Sequence, residues 1–145
     1  MKYFSTEEIG RVFVLRLDQG DMVLESINQL IADEGIKDAV VVSGIGTLDK
    51  CTLHMVMTTG YPPVEHFERW DDVPLELASI DGIIANGEPH LHAVVSDSEK
   101  AYAGHLEPGC RVLYLAEIVI VEVKSMDLMR VRNEKNILQL VTRKE

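Results

Sequence analysis

The stretch Leu75-Glu76-Leu77-Ala78-Ser79-Ile80-Asp81-Gly82-Ile83-Ile84-Ala85-Asn86-Gly87 carries the decisive pattern. Leu75 to Ile80 reads as a strand, Asp81-Gly82 as a turn, and Ile83 to Ala85 leads into Asn86-Gly87, the dipeptide favoured in tight hairpins because both its residues tolerate positive φ. A further extended run, His90 to Val95, follows at once. Strands that succeed one another through short turns pair antiparallel, whereas a parallel sheet needs a long crossover between strands.

Working outward, the same logic recurs. Ser96-Asp97-Ser98-Glu99 and Glu107-Pro108-Gly109 are turn signals around a short segment ending in Gly104-His105-Leu106, and Arg111 to Val123 is the longest strand candidate. Towards the N-terminus, Val12 to Leu17 reads as a first strand and Asp18-Gln19-Gly20-Asp21 as a turn, with Asp21 chosen as helix cap. Val23, Leu24, Ile27, Leu30 and Ile31 then recur on one helical face, and Gly35 stops the helix. Lys37 to Val42 is a β-branched run closed by Ser43-Gly44-Ile45-Gly46, where glycine permits a change of direction or a close backbone approach. Cys51 to Thr58 is the next strand, with Cys51, Leu53, Met55 and Met57 opposite to Thr52, His54, Val56 and Thr58. Thr59 to Pro63 reads as a Gly/Pro-bearing loop, the segment from there to Pro74, which carries Trp70, has no assignable element, and a short helix is expected around Ile137 to Val141.

These readings predict an α+β fold: a mostly antiparallel or mixed sheet, one main N-terminal helix and short additional helices. A single domain is expected over residues 1–145, with its core at about 10–125 and a tail at 126–145. The length fits one self-sufficient core. The composition, 46% hydrophobic and 26% charged, is that of a globular protein.

Fourteen basic against twenty-four acidic residues leave a formal charge of −10, which repels a phosphate backbone unless the cations gather in one patch. Arg130, Arg132, Lys135, Arg143 and Lys144 come nearest, but Glu134 and Glu145 interrupt them and no aromatic residue interleaves, so a solvated tail is expected and direct nucleic-acid binding is not. Cys51 and Cys110 belong to no Cys-x-x-Cys pattern and read as reduced, buried small hydrophobes. The N-terminus has no apolar core of secretory type, and Glu117 and Glu122 break the longest apolar stretch, so a cytoplasmic protein without a membrane span is expected.

Chemistry concentrates in the histidines. His90 and His92, one residue apart on a strand, project from the same face with Cα atoms roughly 6.5–7 Å apart. His105 follows thirteen residues later, far enough for the chain to return along a neighbouring strand and supply a third ligand. Three neutral imidazoles leave coordination positions open, which is how catalytic rather than structural zinc sites are built. Imidazole also suits iron, nickel and copper. Ordinary surface histidines are the alternative reading of a His-x-His pair.

Gly87-Glu88-Pro89-His90-Leu91-His92, Gly104-His105-Leu106 and the strand containing Glu117 resemble the plant-and-prokaryote-conserved domain in its stand-alone form. Arg16-Leu17-Asp18-Gln19-Gly20-Asp21, Val41-Val42-Ser43-Gly44-Ile45-Gly46 and Glu76-Leu77-Ala78-Ser79-Ile80-Asp81-Gly82 resemble further segments of that family, in its order, so that the likeness covers about Val12 to Val123. The resemblance implies an α+β fold around a mostly antiparallel sheet, homotrimers, and a metal centre of His90, His92 and His105. It also implies a fold similar to acetolactate decarboxylase and to a human zinc-dependent ester-cleaving protein. Ala103-Gly104 departs from the Gly-Gly that often precedes the family's third histidine. No Arg-Gly-Arg-Pro AT-hook is present, so the DNA-binding label that the family carries rests on a segment not found in this sequence.

The expected cofactor is one divalent transition metal per chain, zinc by preference, and the expected partners are two further copies of the chain and a small-molecule ligand at the metal. Glu76, Arg16, His54 and Glu117 are candidates for groups around the metal or substrate. Structural ion pairs are the alternative for Arg16, Glu76 and Glu117, and a plain polar strand position for His54. His66 is the weakest candidate, and Met55 and Met57 read as core filler or interface. No nucleophile motif such as Gly-x-Ser-x-Gly is present. Three functional readings follow: a metal-dependent enzyme acting on a small carbonyl, ester or carboxylate, a non-catalytic trimeric metal-binding or protein-interaction module, and, ranked lowest and resting only on the family label, DNA binding or transcriptional regulation.

Overall fold

A computed structural model describes residues 1–143. Its elements, in chain order, are β1 (Ile9–Asp18), α1 (Val23–Glu34), β2 (Ala39–Val56), β3 (Glu65–Ala85), β4 (Glu88–Ser96), β5 (Ala101–Leu106), β6 (Arg111–Val123), β7 (Leu128–Arg132) and β8 (Leu138–Thr142). Strand pairing is antiparallel throughout the described residues, as the succession of short turns demands. The six-stranded sheet runs β1-β6-β2-β3-β4-β5, and β5 returns to pair with β2. On one edge β2 takes β6 over Ala39–Lys50 and then β5 at Leu53 and His54, while β3 runs along the other edge. Strands β2, β3, β4 and β5 thus close into a ring.

Helix α1 contributes Val23, Ile27 and Ile31 to the same core as Leu48, Leu53, Ile80, Leu91, Ile118 and Ile120. Its apolar spacing is that of one face, and Gly35 ends it in the left-handed conformation (φ 63°) with its N–H on the Ile31 carbonyl. Asp21 does not cap it. Met22 stands at the cap, the Val23 N–H donates to the Cys110 carbonyl at 2.9 Å, and the Asp21 carboxylate instead accepts the Asp18 N–H at 2.9 Å. A neighbouring strand end therefore satisfies a donor that a cap side chain otherwise would.

Several other expectations need correcting. Among the described residues α1 is the only helix, so no short additional helices accompany it. The runs Lys37–Val42 and Cys51–Thr58 fall, between Ala39 and Val56, in one strand, β2, because the glycines between them serve close approach rather than a turn. Asp81-Gly82 likewise lies inside β3, and the unassigned segment from Glu65 to Pro74 is the first half of that strand, after the loop expected at Thr59 to Pro63. Leu138 to Val141 falls in β8, not a helix, and Ile137 just precedes it: Asn133 and Asn136 form a turn, with Asn136 at φ 59°, and the chain folds back on β7. Arg143 is described at the end of this hairpin, whereas Lys144 and Glu145 lie outside the described residues. The Asn86-Gly87 hairpin turn is present, both residues at positive φ.

No helix among the described residues is long and apolar enough to cross a membrane. Cys51 and Cys110 are fully buried and form no disulfide; a hydrogen bond of 3.7 Å links their sulfurs.

Candidate metal centre

The site is a product of strand register. On β4, Leu91 is 1% exposed and turns into the core, which sends His90 and His92 to the opposite face. On β5, His105 is the direct partner of His92, and across its other edge it is the direct partner of His54 on β2. Residues that face each other across antiparallel strands share a face. Closure of the ring therefore sets His54, His105 and His92 side by side, with His90 two residues further along β4.

One nitrogen from each of His90, His92 and His105 lies within 4.8 Å of the others, a spacing from which all three can reach one ion at ~2.0–2.1 Å. The rings of His90 and His92 are 5.5 Å apart and nearly parallel, and His105 meets each edge-on. His54, His105 and Glu107 form a second cluster with the same 4.8 Å spacing, so His105 belongs to both. Within that cluster His54 Nδ1 lies 2.5 Å from a Glu107 carboxylate oxygen. A cavity of ≈ 640 Å³ is bounded by all four histidines together with Met55 and Leu138.

The electrostatics favour neutral imidazoles. Burial holds His90 below the ordinary imidazole range, and the charge of Arg130 and the neighbouring His92 and His54 act the same way. Burial also lowers His105, helped by His54 and His90 and opposed by Glu107. Both effects favour the neutral ring, the form that donates a lone pair to a metal.

Backbone proximity is enforced by glycine. A Cβ on Gly82, at φ 147°, would lie 2.2 Å from the His90 carbonyl oxygen, and one on Gly104 would lie 2.7 Å from that of His54. Glycine at these two positions lets β3 approach β4, and β5 approach β2, beside the histidines.

The remaining sequence candidates divide. His54 is at the site. Arg16 is exposed and pairs with Asp18 at 2.9 Å; its register partner Glu117 is exposed as well, on β6. The expected Glu117–arginine ion pair is not formed among the described residues. Glu76 is exposed opposite Ser96, four residues along β4 from His92 and hence about 13 Å away along the strand. His66 is paired with Glu68 at 3.1 Å, outside both clusters. Met55 borders the cavity, and Met57 is 61% exposed rather than core.

Two residues escaped the sequence reading. Glu107, assigned only to a turn, orients His54. Arg130, read as part of a solvated tail, is half-buried: its Nη1 donates to the Glu88 carbonyl at 2.8 Å and its Nη2 to that of Ile83 at 2.9 Å. The spacing Gly-His-Leu-Glu could have flagged Glu107; nothing local could have placed Arg130.

Comparisons with known proteins match most of the chain. Residues 4–124 match the Plants and Prokaryotes Conserved (PCC) domain. The chain belongs to this family. The PCC fold is also that of a metal-containing protein from Archaeoglobus fulgidus, which is 25% identical with a TM-score of 0.80 over 95% of this chain and 96% of that one. A candidate DNA-binding protein from Ralstonia eutropha JMP134 is 27% identical, with a TM-score of 0.69 over 88% of this chain and 89% of its own. A curated relative, the bifunctional protein GlmU of a Synechococcus strain, is 30% identical over 115 residues; the match takes in 77% of this chain but spans only 17% of that relative's length. The hairpin β7–β8 lies beyond the residues that define the PCC match.

Proposed function

We propose that this PCC protein binds one divalent transition metal, zinc by preference, through His90, His92 and His105, and presents the ion's open coordination position to a small molecule. The observation that carries the reading is the convergence of three imidazoles within 4.8 Å on the wall of a cavity of ≈ 640 Å³. When bound, such an ion polarises a carbonyl or lowers the pKa of a coordinated water. The chain's own residues hold the ion and keep the imidazoles neutral, and Glu107 fixes the ring of His54 beside them. A small carbonyl, ester or carboxylate compound is the class of substrate that suits this chemistry. The similar fold of the metal-containing protein from Archaeoglobus supports the metal.

The active assembly in this reading is a homotrimer. Its support is an apolar outer face: Val14, Val42, Ile45 and Leu115 are each at least half exposed on β1, β2 and β6, more than scattered surface apolar residues require. Arg16 and Glu117 lie on this face and belong to the interface rather than to the metal site. Light scattering should return three times the mass of one chain.

Metal analysis of protein purified without a histidine tag tests the proposal: about one transition-metal ion per chain is expected, and none would remove it. Substituting His90 by Ala should release the ion and leave the assembly intact; collapse of the assembly would make the ion structural.

A regulatory, DNA-binding role is the second reading, favoured by the description of the Ralstonia neighbour. A charge of −10 opposes direct contact with a phosphate backbone. Random duplex DNA should bind negligibly at any salt concentration, and a steep salt slope would revive this reading.

A further inference from the structure

We propose that the β7–β8 hairpin makes the site selective for small monocarboxylates with a short apolar body, Arg130 binding the carboxylate beside the metal; this inference rests on the metal reading of the histidines.

Arg130 and Leu140 are register partners on β7 and β8, and Leu138 is two residues from Leu140, so the three share one face of the hairpin. That face is turned to the histidines. With His90, His92 and Asp81, these three residues bound a cavity of ≈ 370 Å³, which shares His90, His92 and Leu138 with the larger one. The carbonyls that hold the guanidinium come from Glu88, two residues before His90, and from Ile83, the register partner of His90. Arg130 is thereby fixed alongside the first metal ligand.

The guanidinium has five N–H donors, and these two bonds use one each on Nη1 and Nη2. Among the described residues it forms no ion pair. Burial lowers its pKa despite the attraction of Glu88, the mark of a cation short of a counter-charge. A planar fork held in place with donors to spare matches a carboxylate in a way that a lysine would not. Leu138 and Leu140 supply the apolar wall for the rest of such a ligand. Asp81, whose carboxylate accepts the Ser79 hydroxyl at 3.0 Å, stands on the same cavity and repels a second negative charge. A monocarboxylate is therefore favoured over a dicarboxylate or phosphate.

The full-length protein loaded with Co²⁺ gives a visible absorption band that reports on ligands at the ion. Titration with butyrate should shift that band, while butyramide and inorganic phosphate should do so only weakly. Arg130→Gln should weaken butyrate binding by roughly 10–100-fold, the cost of losing charge-assisted hydrogen bonds, and leave Co²⁺ affinity within about twofold. Arg130→Lys should recover part of the loss. Since Arg130→Gln gives up two contacts to backbone carbonyls, Leu140→Asp provides a second test: it leaves Arg130 in place, sets a carboxylate against it, and should abolish the butyrate response. Uptake of Co²⁺ with an unchanged butyrate response in both Arg130→Gln and Leu140→Asp would overturn this inference alone, as would equal binding of butyramide and butyrate. Failure of the wild-type protein to take up Co²⁺ would overturn the metal reading and this inference with it.

Discussion

His105 faces His92 across one edge of β5 and His54 across the other, so a single side chain is shared by two overlapping groups of potential ligands. The consequences of removing it differ from those of removing either neighbour.

His105→Ala should cost metal affinity well beyond the roughly 10–100-fold that an outer partner of a ligand is worth. The metal-free fold should tolerate the change to within about 0.5 kcal/mol, since the ring is half-exposed and lies outside the core. Competition with a chromophoric chelator and chemical denaturation measure the two quantities.

His54→Ala should retain one ion per chain. Its place is in the second cluster, with Glu107, and the primary site is complete without it. Loss of stoichiometry on metal analysis would move the ion to His54, His105 and Glu107.

The pH dependence has a definite sign. Unfolded histidines take up protons near pH 6.5, whereas His90 and His105 are held lower in the folded chain. Below pH 6.5 the unfolded state therefore binds more protons than the folded one, and the stability of the metal-free protein falls as pH drops through the depressed values. Melting temperatures measured between pH 7 and pH 5 should show this decline, and His90→Ala should flatten it.

Glu122 controls a separate acid transition. It is 4% exposed, and its carboxylate is pushed down to about 2, first by the hydrogen bond from Arg11 and then by Lys124. Its contribution is complete above the ordinary carboxylate range near 4.5 and is lost as pH falls towards 2. Glu122→Gln should lower stability at pH 7 and remove part of the acid limb of a pH-stability profile.

Gly82→Ala should destabilise the fold by roughly 1–3 kcal/mol, because the added methyl meets the His90 carbonyl and the backbone conformation suits glycine alone. It should also weaken metal binding, since β4 must shift. Gly60→Ala, where a Cβ meets nothing within 4 Å, is the control and should be close to neutral.

What could be read from the sequence was what local chemistry decides. The 3.6-residue recurrence from Val23 to Ile31, the Gly35 stop, the Asn86-Gly87 turn and the limits of β6 all follow from residues within one turn or one strand. So did the facing of His90 and His92 away from Leu91. What failed depended on partners distant in sequence. Gly46 looks like an interruption, yet it allows β2 to pass the Leu115 carbonyl, which a Cβ would approach to 2.4 Å. Ile137, Leu138, Leu140 and Val141 have a spacing compatible with a helix, and the pairing of Leu138 to Thr142 with β7 decides otherwise. The position of Arg130 follows from that pairing, and so it was hidden as well.

Strand β2 joins both halves of the sheet, exchanging β6 for β5 along one edge. Its partners there come roughly fifty to eighty residues later in the chain, so loop-closure entropy must be overcome before those contacts form; sheet proteins of such non-local topology fold in milliseconds to seconds. His54 and His105 meet only at that last seam. A chain emerging from synthesis can therefore bring His90, His92 and His105 together in the local β4–β5 hairpin before the ring closes, and it is the contact between His54 and Glu107, made only across that seam, that should serve during refolding as a clock for closure.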